Sequence, residues 1–301
     1  MRAALDVARP VVALESTLVT HGFPRPRNLE VALATERAVV AAGAVPATIA
    51  VRDGCVLVGL SPDELGELAE DQARKASRHN LAAALVQGGW WGTTVSASMI
   101  AAHAAGIRVF ATGGIGGVHR RAGRSFDVSA DLEELARTPV VVVCAGPKSI
   151  LDVPATLETL ETRGVPVIGL GTTELPGFWS RESGVPAPIT ARDEEEAAAI
   201  VTEHWNLGLG SGVLLAVPIP EADALSRAES EAAITKALDE AEEQRTHGAE
   251  LTPWVLARVA VLTEGRSLAA NAALVVHNAG VAARLASALL ALSPAGGRDD
   301  R

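Results

Sequence analysis

The sequence predicts an α/β fold whose central strands are covered by helices on both faces. Three observations lead there. After Pro139, Val140, Val141, Val142 and Val143 are apolar without alternation, the pattern of a strand buried on both sides in a parallel sheet. Strand-like runs alternate with helical runs that glycines stop, along much of the chain. Finally, 301 residues that are 48% hydrophobic suffice for a large core. One α/β domain over residues 1–301 is the natural count, with loose termini at about 1–9 and 293–301.

The elements follow in order from local signals. Residues 11–17 read as a strand with Glu15 near its end, and an acid after four apolar residues marks either an edge or a site. His21 to Pro26 is a rigid loop, and Asn28 caps a helix to about Ala42 that Gly43 stops. Asp53-Gly54 between two apolar runs signals a hairpin. Ser61, Pro62 and Glu64 form a capping box that opens a helix ending near Lys75. Residues 81–107 lack Asp, Glu, Lys and Arg, but their glycines and hydroxyls make them buried or site-lining backbone rather than a membrane span. Within that stretch a buried helix covers 98–105. Residues 107–111 form the next strand, 132–137 a short helix, and 165–169 a further strand. An amphipathic helix spans 193–204, a glycine-rich turn enters a strand ending at Ala216, and helices cover 229–247, 253–263 and 267–292.

Charge and cysteines exclude several roles. A net charge of -10 argues against a basic nucleic-acid surface, while a local basic pocket for a small anion is still allowed. Cys55 and Cys144 lie in apolar runs and read as buried thiols of a reducing compartment. Met1 to Asp6 does not begin a secretory signal, so the expected location is cytoplasmic, with no membrane partner.

The candidate chemistry centres on Lys148. Gly146-Pro147 breaks the valine strand and Ser149 opens a helix over 150–161, which places Lys148 at the carboxyl edge of a central strand, where open α/β sheets hold ligands. The helix end and the loss of solvent both favour the uncharged amine, a nucleophile toward a sugar C1 carbon. The competing reading is a lysine that holds phosphate or faces solvent. Gly113 to Gly117 after a strand either cradles an anion or makes a tight turn, and His119 and Arg120 favour the anion. Asp127 and Asp131 share a face if their segment is helical, which suits Mg²⁺ or Mn²⁺; alternatively Asp131 caps the next helix and Asp127 faces solvent. The cluster Lys75 to Asn80 is either a solvated helix end or a phosphate clamp, and Asn271 and Asn278 share a helix face as site or core amides.

Several stretches together resemble the pseudouridine-5′-phosphate glycosidase family. They include Ala13-Leu14-Glu15-Ser16-Thr17 with His21-Gly22, Thr93-Thr94-Val95, residues 109–119, Phe126-Asp127-Val128-Ser129-Ala130-Asp131, Cys144-Ala145-Gly146-Pro147-Lys148-Ser149, His247-Gly248, Thr252-Pro253 and Asn271. The resemblance covers roughly residues 11–290. It implies an α/β/α layered sandwich with a large mixed, mostly parallel central sheet, and a homotrimer. It also implies reversible cleavage of a C-glycosidic bond to uracil and ribose 5-phosphate with Mn²⁺ or another divalent cation. By the same resemblance Lys148 is the nucleophile, Glu15 the general acid and Asp127 the metal ligand. Lys75, the backbone at Val95, and Ser129, Ala130 and Asp131 match substrate-binding positions; Thr112, His119 and Asn271 match further pocket positions.

These residue types suit that reaction. A base joined through carbon leaves only when its C5 carbon is protonated, and a carboxyl near the end of an apolar strand can hold that proton near neutral pH. An amine at C1 forms an imine, an electron sink for the breaking bond. The chain departs from the family at His79-Asn80, at Trp90-Trp91, at Pro147 and at His277-Asn278. The tryptophans either reshape a base pocket or fill a core gap or subunit contact. Three rival readings follow: a biosynthetic C-nucleoside synthase with another base, a Schiff-base aldolase, and a non-catalytic sugar-phosphate sensor.

Overall fold

The computed structural model describes residues 1–120, 122–246 and 251–292. The expectations at His247-Gly248 and for the tail 293–301 lie outside those residues. The chain opens with helix α1 (Arg2–Asp6), where a loose segment is expected, then β1 (Val11–Leu14), α2 (Arg27–Ala41), β2 (Val45–Arg52) and β3 (Cys55–Val58). Next come α3 (Pro62–Glu70), β4 (Arg74–Ala76), α4 (Leu81–Gln87), β5 (Trp90–Thr93), α5 (Val95–Ala104) and β6 (Val109–Ala111). The middle of the chain supplies α6 (Ala122–Ser125), α7 (Ala130–Leu135), β7 (Val141–Cys144), α8 (Val153–Thr162), β8 (Val167–Leu170) and β9 (Ile189–Ala191). The last elements are α9 (Glu194–Asn206), β10 (Val213–Ala216), α10 (Arg227–Glu243), α11 (Leu251–Leu262) and α12 (Arg266–Leu292).

The strands form one ten-stranded sheet in the order β4-β5-β2-β1-β6-β7-β10-β8-β9, with β3 also on β2. Its pairs are parallel except for β2 with β3 and β2 with β5. The valine run is β7, fully buried between β6 and β10. One face packs Phe110, Met99, Leu132 and Leu135 in a layer with α5 and α7; the other packs Val39, Val201, Ala282 and Leu285 from α2, α9 and α12. This double cover is why β7 carries no alternation. Helix α12 is long and apolar enough to cross a membrane, but it lies against α2, α9 and three strands and is a core helix.

Local signals were accurate where their partners are local. Asp53 and Gly54 have φ of 46° and 85°, the left-handed pair of a two-residue hairpin, and Arg52 faces Cys55 across it. Ser61 accepts from the Glu64 backbone N–H while the Glu64 carboxylate accepts from the Ser61 N–H. Other expectations need correction. Helix α2 begins before Asn28, whose buried amide instead donates to the Val19 and Ala69 carbonyls. Helix α3 ends at Glu70, so Lys75 belongs to a strand, and Cys55 is exposed. Helix α8 starts at Val153 with Asp152 as its cap, so the positive end of that helix is not beside Lys148. Asp127 precedes α7 and does not share a helical face with Asp131, and Ser129, not Asp131, is the cap.

Candidate active site

The carboxyl ends of β1, β6 and β7 open onto one cavity of about 800 Å³. Each strand delivers one functional segment: Glu15 follows β1, the glycine stretch follows β6, and Lys148 lies beyond β7. The last two segments are laced together. Ile115 N–H donates to the Gly146 carbonyl (3.1 Å) and Lys148 N–H to the Ile115 carbonyl (3.0 Å), so the lysine backbone is fixed while its half-buried side chain reaches the cavity.

Glu15 is 5% exposed. The Thr112 hydroxyl donates to its Oε1 and the Thr17 hydroxyl to its Oε2. Burial pushes its carboxyl above the ordinary carboxylate range, against the opposing pull of the Lys148 charge and the two hydroxyls. A carboxyl held above its ordinary range that faces the same space as a lysine is the arrangement needed for protonating one side of a bond while attacking the other.

Around this pair stand a second lysine and two histidines. Burial lowers the Lys75 ammonium pKa, and repulsion from Lys148 adds to it, against attraction from Glu15. His21 is pushed down to about 4 by burial and by Lys75. His119 is lowered chiefly by burial, with Lys148 adding and Asp127 opposing. Its Nδ1 lies 3.8 Å from an Asp127 carboxylate oxygen. Both groups face the cavity. Among the described residues no cluster of three or more His, Cys, Asp or Glu forms a complete metal cage. A single carboxylate at a wet cavity wall fits a hard cation that keeps several waters and takes further oxygens from a phosphate.

Asp131 has a different duty from the one its spacing implies. One oxygen accepts from Ser96 N–H (3.0 Å) and the other from Gly116 N–H (2.8 Å), tying the start of α5 and the glycine stretch to α7 beside the cavity. Ser129 accepts from the Asp131 N–H and also lines the cavity. Val95 and Asn271 line it too, and the Asn271 side-chain oxygen is buried without a partner among the described residues, an acceptor waiting for a donor. Thr112 and Ala130 are not on the wall: Thr112 acts through Glu15, and Ala130 opens α7. The sequence gives no individual role to Thr17, Phe126, Phe178 or Leu256, all of which line the cavity. Only Thr17, two residues after the acid in a strand-like run, carried a usable signal.

The departures lie off the wall. Trp90 and Trp91 are 8% and 4% exposed in separate core clusters, beneath the guanidinium groups of Arg52 and Arg74 at 4.7 and 3.8 Å. They fill core. Asn80 accepts from Ser77 N–H and donates to the Lys75 carbonyl, closing the turn after β4.

Comparison with known proteins places the chain in a family. Residues 1–288 match the family described as indigoidine synthase A like protein. Relatives named pseudouridine-5′-phosphate glycosidase include one from Sorangium cellulosum, 54% identical over 96% of this chain and 92% of the relative, and one from Paracoccus denitrificans, 54% identical over 95% of each. Among solved structures, the prealnumycin C-glycosynthase AlnA in complex with ribulose 5-phosphate superposes with a TM-score of 0.90 at 40% identity, covering 96% of this chain and 95% of that one. An indigoidine synthase A-like protein from Thermotoga maritima gives 0.87 at 34% identity, covering 94% of each chain.

Proposed function

The chain belongs to the indigoidine synthase A-like family that includes the pseudouridine-5′-phosphate glycosidases, and from that premise we propose that it reversibly cleaves pseudouridine 5′-phosphate to uracil and ribose 5-phosphate. The observation that carries this reading is that buried Glu15 and Lys148 face a single cavity large enough for a nucleotide.

In this reading the Lys148 amine attacks ribose C1, and the ring oxygen leaves C1 and takes a proton. The nitrogen lone pair then forms the C=N bond as the C1–C5 bond breaks, and Glu15 gives its proton to C5 of the departing uracil. Water hydrolyses the imine, releasing ribose 5-phosphate and the free lysine. Lys75 supplies a cation for the substrate, and Asp131, by holding the Ser96 and Gly116 backbone, keeps the wall in register. Thr112 fixes the orientation of the acid, and the Asn271 oxygen accepts from a substrate N–H or hydroxyl. Asp127, with His119 beside it, would hold a divalent cation, Mn²⁺ by family resemblance, which balances phosphate charge when bound. A cytoplasmic location and a homotrimer complete the proposal, and the trimer rests on family resemblance alone.

The likeness to a C-glycosynthase keeps synthesis with another base as a second reading, but the position of Trp90 and Trp91 in the core withdraws its sequence motive. The test is direct. The protein should convert pseudouridine 5′-phosphate to uracil, and borohydride should trap a ribose 5-phosphate adduct visible in the intact mass. Lys148→Ala should lose both turnover and adduct, and turnover at the original rate in that variant would end the assignment.

A further inference from the structure

A second, much smaller cavity also reaches the acid. Its volume is about 20 Å³, room for about one water molecule. Most of its wall is apolar, but Glu15, Asn28, Thr35 and Thr48 face it as well. Asn28 is 3% exposed, and its amide nitrogen donates to the Val19 (2.9 Å) and Ala69 (3.0 Å) carbonyls. Its side-chain oxygen is buried and has no partner among the described residues. An orphaned acceptor beside a water-sized space, with a carboxyl group on the same wall, is the setting in which an ordered water is held. Thr35 is already committed, its hydroxyl donating to the Val31 carbonyl at 2.8 Å. Thr48 is different. Its hydroxyl donates to Oε1 of Glu36 at 2.6 Å, and Glu36 is half-buried, with one side still open to solvent.

We propose that a water held by Asn28 in this cavity links Glu15 to Thr48 and Glu36, forming a proton port that recharges the acid from bulk solvent. The inference rests on the reading of Glu15 as the group that protonates the leaving base. The two hydroxyls already on Glu15 hold it but bring no net proton. In the recharging step Glu36 takes up a proton and the Thr48 bond reverses, the hydroxyl turning to the water; Glu36 gives its proton to the Thr48 oxygen as the Thr48 hydroxyl proton passes to the water, and a proton of that water passes to the Glu15 carboxylate. The net change is one proton moved from Glu36 to Glu15, and Glu36 regains it from bulk water. Burial raises the Glu36 carboxyl above its ordinary range, against the Thr48 bond, which keeps it a usable donor.

Two measurements test the port. A high-resolution crystal structure of the protein as isolated should show a water bonded to the Asn28 side-chain oxygen, and an empty cavity would overturn the proposal whatever the enzyme's substrate. Glu36→Gln keeps an acceptor for Thr48 but releases no proton, so a purely structural role would be spared. With pseudouridine 5′-phosphate it should lower kcat about tenfold at unchanged KM, raise the solvent deuterium isotope effect on kcat, and recover when imidazole is added, its imidazolium form serving as a small proton donor. Thr48→Val should do the same, and Thr48→Ser should restore the rate. Unaltered kcat in Glu36→Gln, or a loss that imidazole does not repair, would overturn the port. An unaltered protein that leaves pseudouridine 5′-phosphate intact would strike the functional reading instead, while the crystallographic water still decides whether the cavity is hydrated.

Discussion

At the scale of single residues, the acid carries two opposed demands. The proposed reaction needs Glu15 protonated, and burial favours that form at a cost to the folded state whenever the group ionises. Because its folded pKa lies above the unfolded one, the stability it contributes is full below the ordinary carboxylate value and is lost as pH rises through the raised folded value. Glu15→Gln removes the titration and keeps the shape, and the Thr17 and Thr112 hydroxyls can rotate to suit an amide. The variant should bind substrate and stall, with turnover down roughly 10²- to 10⁴-fold, the usual contribution of a positioned acid. Its Tm should match the parent in acid and exceed it increasingly as pH rises above the ordinary carboxylate range. Thermal melts of both proteins across that range check this. A variant that is less stable at the alkaline end would show that the carboxylate, not the acid, is the form the fold prefers.

At the scale of elements, the glycine stretch after β6 works because its residues leave room for neighbours. A Cβ on Gly116 would sit 2.2 Å from Ser129 Oγ, 2.6 Å from Ser129 Cβ and 2.9 Å from an Asp131 carboxylate oxygen. Gly116→Ala should therefore push the start of α7 away from the cavity, lowering stability by about 1–3 kcal/mol in urea unfolding and raising KM. Gly66→Ala in α3, where a Cβ meets nothing within 4 Å, is the control and should stabilise by about 0.5–1 kcal/mol. The same contrast explains what the sequence made legible. The capping box at Ser61, the Asp53-Gly54 hairpin and the valine strand are local statements, and each appears as expected. The resemblance named most of the cavity wall because its motifs are spelled out in order. What the spacing misread was settled by distant partners. Asp131 looked like a ligand or cap four residues from Asp127, but its oxygens belong to backbone groups 35 and 15 residues away. Lys148 looked like the doorstep of a helix, but isolated bridges from Ile115 to Pro147 and from His119 to Leu151 hold the segment, and a turn closed by the Leu151 N–H on the Lys148 carbonyl intervenes before Asp152 caps α8. Nothing in residues 74–76 announces a strand, since β4 exists only because β5 pairs with it.

At the scale of the whole molecule, an acidic protein must attract an anion. The net charge of -10 repels a sugar phosphate at long range, but that repulsion is screened within about 8–10 Å at ordinary ionic strength. Inside the cavity the local field is the reverse where Lys75 and Lys148 face one space, close enough that repulsion from Lys148 adds to burial in lowering the Lys75 pKa. Substrate selection then depends on the few cations that line the wall, not on the surface. If Lys75 meets the phosphate, one charge-assisted hydrogen bond of about 1.5–3 kcal/mol separates the nucleotide from the bare nucleoside, roughly a 10- to 100-fold difference in kcat/KM. Lys75→Met should erase most of that difference, slowing the nucleotide while leaving the nucleoside nearly as it was, and a double cycle of enzyme and substrate isolates the shared term. Equal losses on both substrates would place Lys75 against the sugar or base instead and move the phosphate site to another part of the wall.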